Sequence, residues 1–464
     1  MQGRQNSGPG YQKKSSLYAK SESKIYQLNV PVELDLDFQQ RLKAKDQLLA
    51  ELSSRNFTDV NVDQLERDYF HITELNGRKN ALERQQKTEI TEKMLCLKTK
   101  QMASADPRER VGIDTKMSEL RKTGRLLKKQ IKEILSELRD IEEKVILTAL
   151  KVPNRLHAST PLSQDRVEDS SRTEDCHTDR LSHIEIGQMF DLIKFSNIGS
   201  KAYYFKDSLA LLEQALTNYF SNRLRQERFT QMACPEFFKD LVVEGCGEDS
   251  DNCEQIFKLK PKADDISDSF LTGVSIMSFA AYLAKSGIDK SCLPLQYFTC
   301  GRSYLPGGKS SLPGLFDATQ SVKMNMFSVT GEPEECDVVT QAIKGHLCDI
   351  YKQFDVPWRT VTVCAPRLHK TEELRMEIQM WVKSIQQYIK VASVSMVSDY
   401  ISRRLMIRHG ELSLPVYMVH CEALEVTRLI AILMEYGTIK EDTYTLPPLD
   451  FLDNHWIKPT LRSN

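Results

Sequence analysis

Apolar residues recur from Met117 to Val145 in alternating steps of three and four, through Leu120, Gly124, Leu127, Ile131, Ile134, Leu138 and Ile141. Every position but the glycine is apolar. The pattern is an a/d seam and predicts a long helix packed along one stripe against a partner. The preceding stretch is looser: Leu65, Tyr69 and Ile72, then Leu75 and Leu82, then Ile90, Met94 and Leu97, with a register shift between the groups. The segment "ASADPRERVG" (103–112) holds a proline and a glycine and separates the two halves. A single long coiled coil would not carry Pro107 in its middle, so residues 60–150 predict two helices folded back on each other.

Beyond this hairpin the pattern changes. Residues 151–180 are polar and rich in breakers, which predicts a linker. "SLALLEQALTNYFSNRLRQ" (208–226) predicts an amphipathic helix, followed by a short strand in "FTQMACP". "TVTVCAP" (360–366) predicts a strand, and "ALEVTRLIAILMEY" (423–436) a mostly apolar helix entered by Arg428. Strands and helices do not alternate in βαβ order, so the expected class is α+β. The expected division is a flexible tail over 1–34, a helical arm over 35–150, a linker over 151–185 and a folded domain over 186–464.

Charge changes this picture in one place. The whole chain is nearly neutral, with 63 basic and 64 acidic residues, so overall charge points to no partner. Between 98 and 132, however, Lys98, Lys100, Arg108, Arg110, Lys116, Arg121, Lys122, Arg125, Lys128, Lys129 and Lys132 face only four acids, a net +7. A solvated helix face is one reading of this stretch. A projecting cationic rod that tracks a nucleic-acid backbone is the other.

The eleven cysteines are dispersed, with no CxxC pair and no zinc spacing. Cys246 and Cys253 flank an acidic loop, a weak metal signal, and no metal site is expected. Scattered thiols fit a reducing compartment. No acid precedes Glu22, which suits a transit-peptide remnant as well as a plain disordered tail. No apolar run approaches the roughly 20 residues of a membrane span.

The order of parts resembles a class II aminoacyl-tRNA synthetase, specifically seryl-tRNA synthetase, from about residue 35 to the end. A helical hairpin leads through "VPN" (152–154) to "AYYFKDSLALLEQALTNYF", which is similar to the family's first motif. "TCGRSY" resembles the second motif, and "SDYISRRLMIR" (398–408) the stretch joining motifs two and three. "ALEVTR" resembles the start of motif three, and "YTLPPLDFL" (444–452) the C-terminal tail. The resemblance implies an N-terminal antiparallel helical arm for RNA and an antiparallel sheet domain flanked by helices.

It also implies a chemistry that can be followed residue by residue. The family joins serine to ATP with magnesium and passes it to tRNA. Arg302 matches the α-phosphate arginine and Arg428 the γ-phosphate arginine, while Thr427 replaces a glycine beside the latter. The family's acids do not recur. The acid two residues after the motif-two arginine is Tyr304, and the Thr-x-Glu signature reads Thr272, Gly273, Val274. The "HQFEK" segment becomes "TQSVK" (319–323), with Val322 for its glutamate and Asn325 for the next acid. The magnesium glutamate falls at Lys390, with Ser393 kept nearby. The Asn-Gly-Ser of the serine cradle reads His420, Cys421, Glu422.

Reversing a charge about 4 Å from a cation is worth several kcal/mol. Losing a buried carboxylate partner adds about 2–5 kcal/mol. The expectation is therefore a non-catalytic mitochondrial-matrix relative that uses no cofactor and acts through RNA and dimerisation. The motif-one apolar set Leu209, Leu212, Leu216, Tyr219 and Phe220, with Pro235, is the expected dimer surface. The partner would be the active mitochondrial seryl-tRNA synthetase or a second copy. A working serine–tRNA ligase using ATP and magnesium, and a purely structural coiled-coil adaptor, are the alternatives.

Overall fold

The computed structural model describes Ser15, Leu17 and residues 36–464, except 104–106, 172–180, 199–200, 251–255, 261–267, 307–310, 456–460 and 463–464; side chains are also left out over 103–110 and from 453 onward. Most of the tail expected over 1–34 and part of the expected linker lie outside the described residues. So do Cys253 and the side chains of Arg108 and Arg110.

Two compact units are present. One holds residues 38–49 and 57–152; the other holds 50–56 and everything from Pro153 onward. The first unit is a helical hairpin. Helix α1 (Val62–Gln85) starts at Asn61, whose side chain accepts a hydrogen bond from the Gln64 amide. It runs through a π-helical turn (Gln86–Glu92) into α2 (Lys93–Ala103). Helix α3 (Pro107–Lys151) returns alongside α1. Leu75, Ile134 and Leu138 are buried together, with Ile72, Leu82 and Ile141 packed against them.

The π turn is the physical source of the register shift. It inserts one residue into the helix and rotates the apolar stripe between Leu82 and Ile90. Ile90 then faces Gly124, where an added Cβ would lie 3.2 Å from Ile90 Cγ2. The polar-looking break in the seam is thus a fitted contact. The expected separator 103–112 is shorter than its composition suggested. Pro107 begins α3, where its fixed φ and missing N–H are tolerated, and Gly112 lies inside the helix.

The second unit is built on an eight-stranded sheet of β1 (Arg166–Ser170), β2 (Thr230–Met232), β3 (Leu295–Tyr304), β4 (Gln320–Thr330), β5 (Trp358–Thr362), β6 (Leu374–Val382), β7 (Gln387–Ser398) and β8 (Tyr417–Glu425). The order across the sheet is β1-β5-β6-β7-β8-β4-β3-β2. Neighbours are antiparallel except β2 and β3. Helices α4 (Ser208–Gln226), α5 (Pro333–Tyr351) and α6 (Val426–Glu435) bury their apolar stripes on one face, against Phe298, Met324, Met326, Val394 and Cys421. The expected α+β class with a helix-flanked antiparallel sheet is what the chain forms.

Two boundaries differ from the pattern. Ala423, Leu424 and Glu425 finish β8, so the last apolar run is a strand end followed by a helix. β5 ends at Thr362, before a short 3₁₀ turn over Ala365–Arg367 that contains the proline. The expected dimer set also needs correcting. Leu209, Leu212, Leu216, Tyr219 and Phe220 are buried in this unit's own core, since α4 turns these side chains to the sheet; Leu211 on the same helix and Pro235 are exposed.

Candidate functional site

Strand alternation decides which side chains meet. On β4, Val322, Met324 and Met326 point into the core, so Ser321, Lys323 and Asn325 occupy the opposite face. Asn325 and Ser393 both pair with Glu422, and Ser395 pairs with His420, which places these side chains on that same face. They line a cleft of about 280 Å³ together with Thr272, Val274, Tyr304, Arg375 and Lys390.

Its wall depends on Gly273. That residue has φ +69° and bridges Ser303, and an added Cβ would lie 2.0 Å from the Arg302 carbonyl oxygen. Only glycine permits this approach. The chain there leaves Val274 buried, with its carbonyl accepting from Asn325 Nδ2 at 3.3 Å. The Thr272 hydroxyl donates to the Gly273 carbonyl at 3.1 Å.

An alternating row of charges starts at the floor with Lys390, Glu422 and Lys323 and continues beyond the cleft to Glu425 and Arg428. Lys390 Nζ donates to Glu422 Oε2, and the Ser393 hydroxyl donates to the same oxygen at 3.4 Å. Lys323 Nζ lies 3.5 Å from Glu422 Oε1 and 3.6 Å from Glu425 Oε2. Glu425 Oε1 is 3.3 Å from Arg428 Nε. Burial alone would push the Lys323 ammonium down, but Glu422 and Glu425 reverse this and hold its pKa above the ordinary value. The ammonium groups of Lys323 and Lys390 hold Glu422 well below the usual carboxylate range. Burial lowers His420 to about 4, and its Nε2 is 3.0 Å from Asn325 Oδ1, so the ring is neutral at physiological pH.

The two arginines of the sequence pattern do not line this cleft. Arg302 pairs across from Val322, on the core side of the sheet, and lies 3.9 Å from Glu213 on α4. Arg428 donates to the carbonyls of Phe316 at 3.2 Å and Lys390 at 3.3 Å. Thr427 is fully buried, and its hydroxyl has no hydrogen-bond partner. Tyr304 does reach the cleft rim and donates to Glu236 Oε2 at 3.1 Å. Val322 belongs to the core and not to the cleft.

Sequence reasoning missed Lys323, Glu372, Arg375, Glu236 and Glu425. Glu372 accepts from the Ser395 hydroxyl at 2.6 Å and from Arg375 at 3.0 Å. A period-two count along β4 would have exposed Lys323, because it stands two residues from Asn325.

A magnesium ion, which the resemblance implies, does not fit these donors. Mg²⁺ requires oxygen ligands in octahedral array. Here an ammonium stands at the matching position, and both oxygens of Glu422 already meet lysines. Among the described residues no cluster of three or more His, Cys, Asp or Glu could hold a metal. Burial pushes the Cys246 thiol far up, so it is no thiolate ligand.

In the arm, Lys98, Lys100, Lys116, Arg121, Lys122, Arg125, Lys128, Lys129 and Lys132 are all exposed. Lys129 lies 3.8 Å from Glu133, one turn away.

No family model matches the chain. It is 27% identical over 343 residues to the serine–tRNA synthetase-like protein Slimp of Drosophila melanogaster, covering 70% of this chain and 71% of that protein. It is 27% identical over 356 residues to the mitochondrial serine–tRNA ligase of Mus musculus, covering 73% and 68%. Its fold matches seryl-tRNA synthetase from Pyrococcus horikoshii, solved with ATP, at TM-score 0.79 and 19% identity, over 92% of this chain and 99% of that one.

These relatives correct the expectation of lost ligase activity, because proteins named as serine–tRNA ligases share most of this chain's length. The geometry changes two premises of that expectation. Val322 was never a cleft position, and the Lys390 charge is met by Glu422 instead of standing uncompensated. Sequence relatives and fold neighbours agree: the chain is similar to seryl-tRNA synthetases and their relatives, and it has their α+β fold.

Proposed function

We propose that this protein acts on tRNA in the mitochondrial matrix, as a protein of the serine–tRNA ligase kind. The row of exposed cations on the helical arm carries the reading. Nine described basic side chains between 98 and 132 point to water along a rod with few acids to neutralise them. Such a surface recognises phosphates without reading bases. The mitochondrial serine–tRNA ligases among its relatives support a mitochondrial location, and the matrix is our reading.

The chain acts as a dimer, with the mitochondrial seryl-tRNA synthetase as partner or else with a second copy. Since the expected α4 residues are buried in the core, the proposed partner surface draws on exposed apolar side chains, among them Tyr204, Leu211, Phe237 and Tyr282.

Replacing Arg121, Lys122, Arg125, Lys128 and Lys129 with glutamine tests the RNA reading. Affinity for tRNA should fall, and the slope of log K against log salt should flatten by roughly 3–4 units if all five contact phosphates. An unchanged slope would reduce the basic row to a solvated face. Serine-dependent exchange of pyrophosphate into ATP tests the ligase reading separately, and turnover indistinguishable from blank would refute it.

A further inference from the structure

Five charged side chains stand in strict alternation, Lys390, Glu422, Lys323, Glu425 and Arg428, of which the first three line the cleft. Three are cations and two are anions. Lys323 is nearly buried, at 7% side-chain exposure, while Lys390 and Glu422 keep 29% and 27% and open to the cleft. Glu422 has no free oxygen to offer: Oε2 accepts from Lys390 and Ser393, and Oε1 faces Lys323. The other near carboxylate, Glu372, is bound by Ser395 and Arg375. A divalent ion placed between Glu422 and Ser393 would displace the Lys390 ammonium and still stand close to Lys323. Two like charges at that range, in a partly dehydrated site, repel strongly.

We propose that the Lys390 ammonium occupies the cation position of this cleft, so that no divalent metal is held there, and that a nucleotide phosphate entering the cleft meets Lys390, the exposed cation of the row, in place of a metal. The ligand half of this statement rests on the ligase-type reading above. The metal half rests on the geometry alone.

The test uses the full chain. Mn²⁺ alone, followed by electron paramagnetic resonance, should show no cleft site in the wild type. Lys390→Glu places a second carboxylate beside Glu422 and Ser393, and should tighten Mn²⁺ binding at least tenfold. Adding Glu422→Gln to that variant should remove the gain. Circular dichroism verifies that each variant is folded. Wild-type Mn²⁺ binding that Glu422→Gln weakens would overturn the proposal whether or not Lys390→Glu folds, and so would a folded Lys390→Glu that gains no site. ATP titrated by calorimetry with EDTA and with Mg²⁺ should give dissociation constants within about threefold. A tenfold tightening by Mg²⁺ overturns the proposal. Absence of ATP binding in both conditions overturns its ligand half and the nucleotide reading of the cleft with it, while the Mn²⁺ result decides the metal half independently.

Discussion

Glu422→Gln is the most informative single change to the stability of the sheet domain. The carboxylate lies 3.5 Å from Lys323 Nζ and is hydrogen-bonded by Lys390. At an effective dielectric near 20, unit charges at such a distance attract by about 5 kcal/mol. Desolvation of both partners offsets much of this. Removing one member of a buried pair nevertheless costs about 3–5 kcal/mol, because the other charge is stranded. Two features reduce the figure here. Lys323 keeps Glu425 at 3.6 Å, and Lys390, at 29% exposure, can turn to water. The expected loss is therefore ~2–3 kcal/mol, read as a lower urea midpoint at unchanged m. Lys323→Met in the same chain removes the stranded ammonium and should recover at least half of the loss.

The pH dependence carries a sign. The folded pKa of Glu422 is depressed below its ordinary 4.5. Its stabilisation is therefore present above that value and lost as pH falls through the folded pKa. The wild type should lose stability below about pH 4.5 more steeply than Glu422→Gln. A Glu422→Gln midpoint within about 0.5 kcal/mol of wild type, with no recovery in the double variant, would show that the charge row contributes nothing to the fold.

Three further outcomes are expected. Gly124→Leu overfills the seam opposite Ile90, where even a Cβ would be tight at 3.2 Å, and should cost the arm about 1–3 kcal/mol in thermal melts of helicity; a stabilised arm would refute the fitted contact. Burial raises Glu373 to about 7, so its folded form favours the proton, and stability should fall as pH rises from about 5 to 8; Glu373→Gln should flatten that slope, and an unchanged slope would assign it elsewhere. Leu212→Ala, fully buried in the core, should cost about 2–5 kcal/mol by an amount independent of protein concentration, whereas a concentration-dependent loss would return Leu212 to an interface.

What was legible in the sequence depended on how far apart the interacting residues lie along the chain. The hairpin was readable because each seam position answers to a neighbour three or four residues away, and even the π turn leaves its trace in the sequence as the register shift between Leu82 and Ile90. Pro107 marked the break between the two helices, but composition overstated its length: a proline ends a helix from inside yet suits its first position, so the return helix begins at Pro107 itself. The α4 stripe shows the limit of amphipathic patterns, since an apolar face says that something covers it and not what. In the sheet the limiting information is register. Val322 and Lys323 are adjacent, yet one is core and the other cleft, and likeness to a family motif does not assign the face unless alternation is counted as well. The step that no local count could supply is the pairing of Lys390 with Glu422. They are 32 residues apart, on β7 and β8, and meet only because Ser393 stands opposite Glu422 in the ladder. Judged by position, Lys390 was a repulsive charge in a metal site. Judged by register, it is half of an ion pair, and that pairing changes what the cleft can bind.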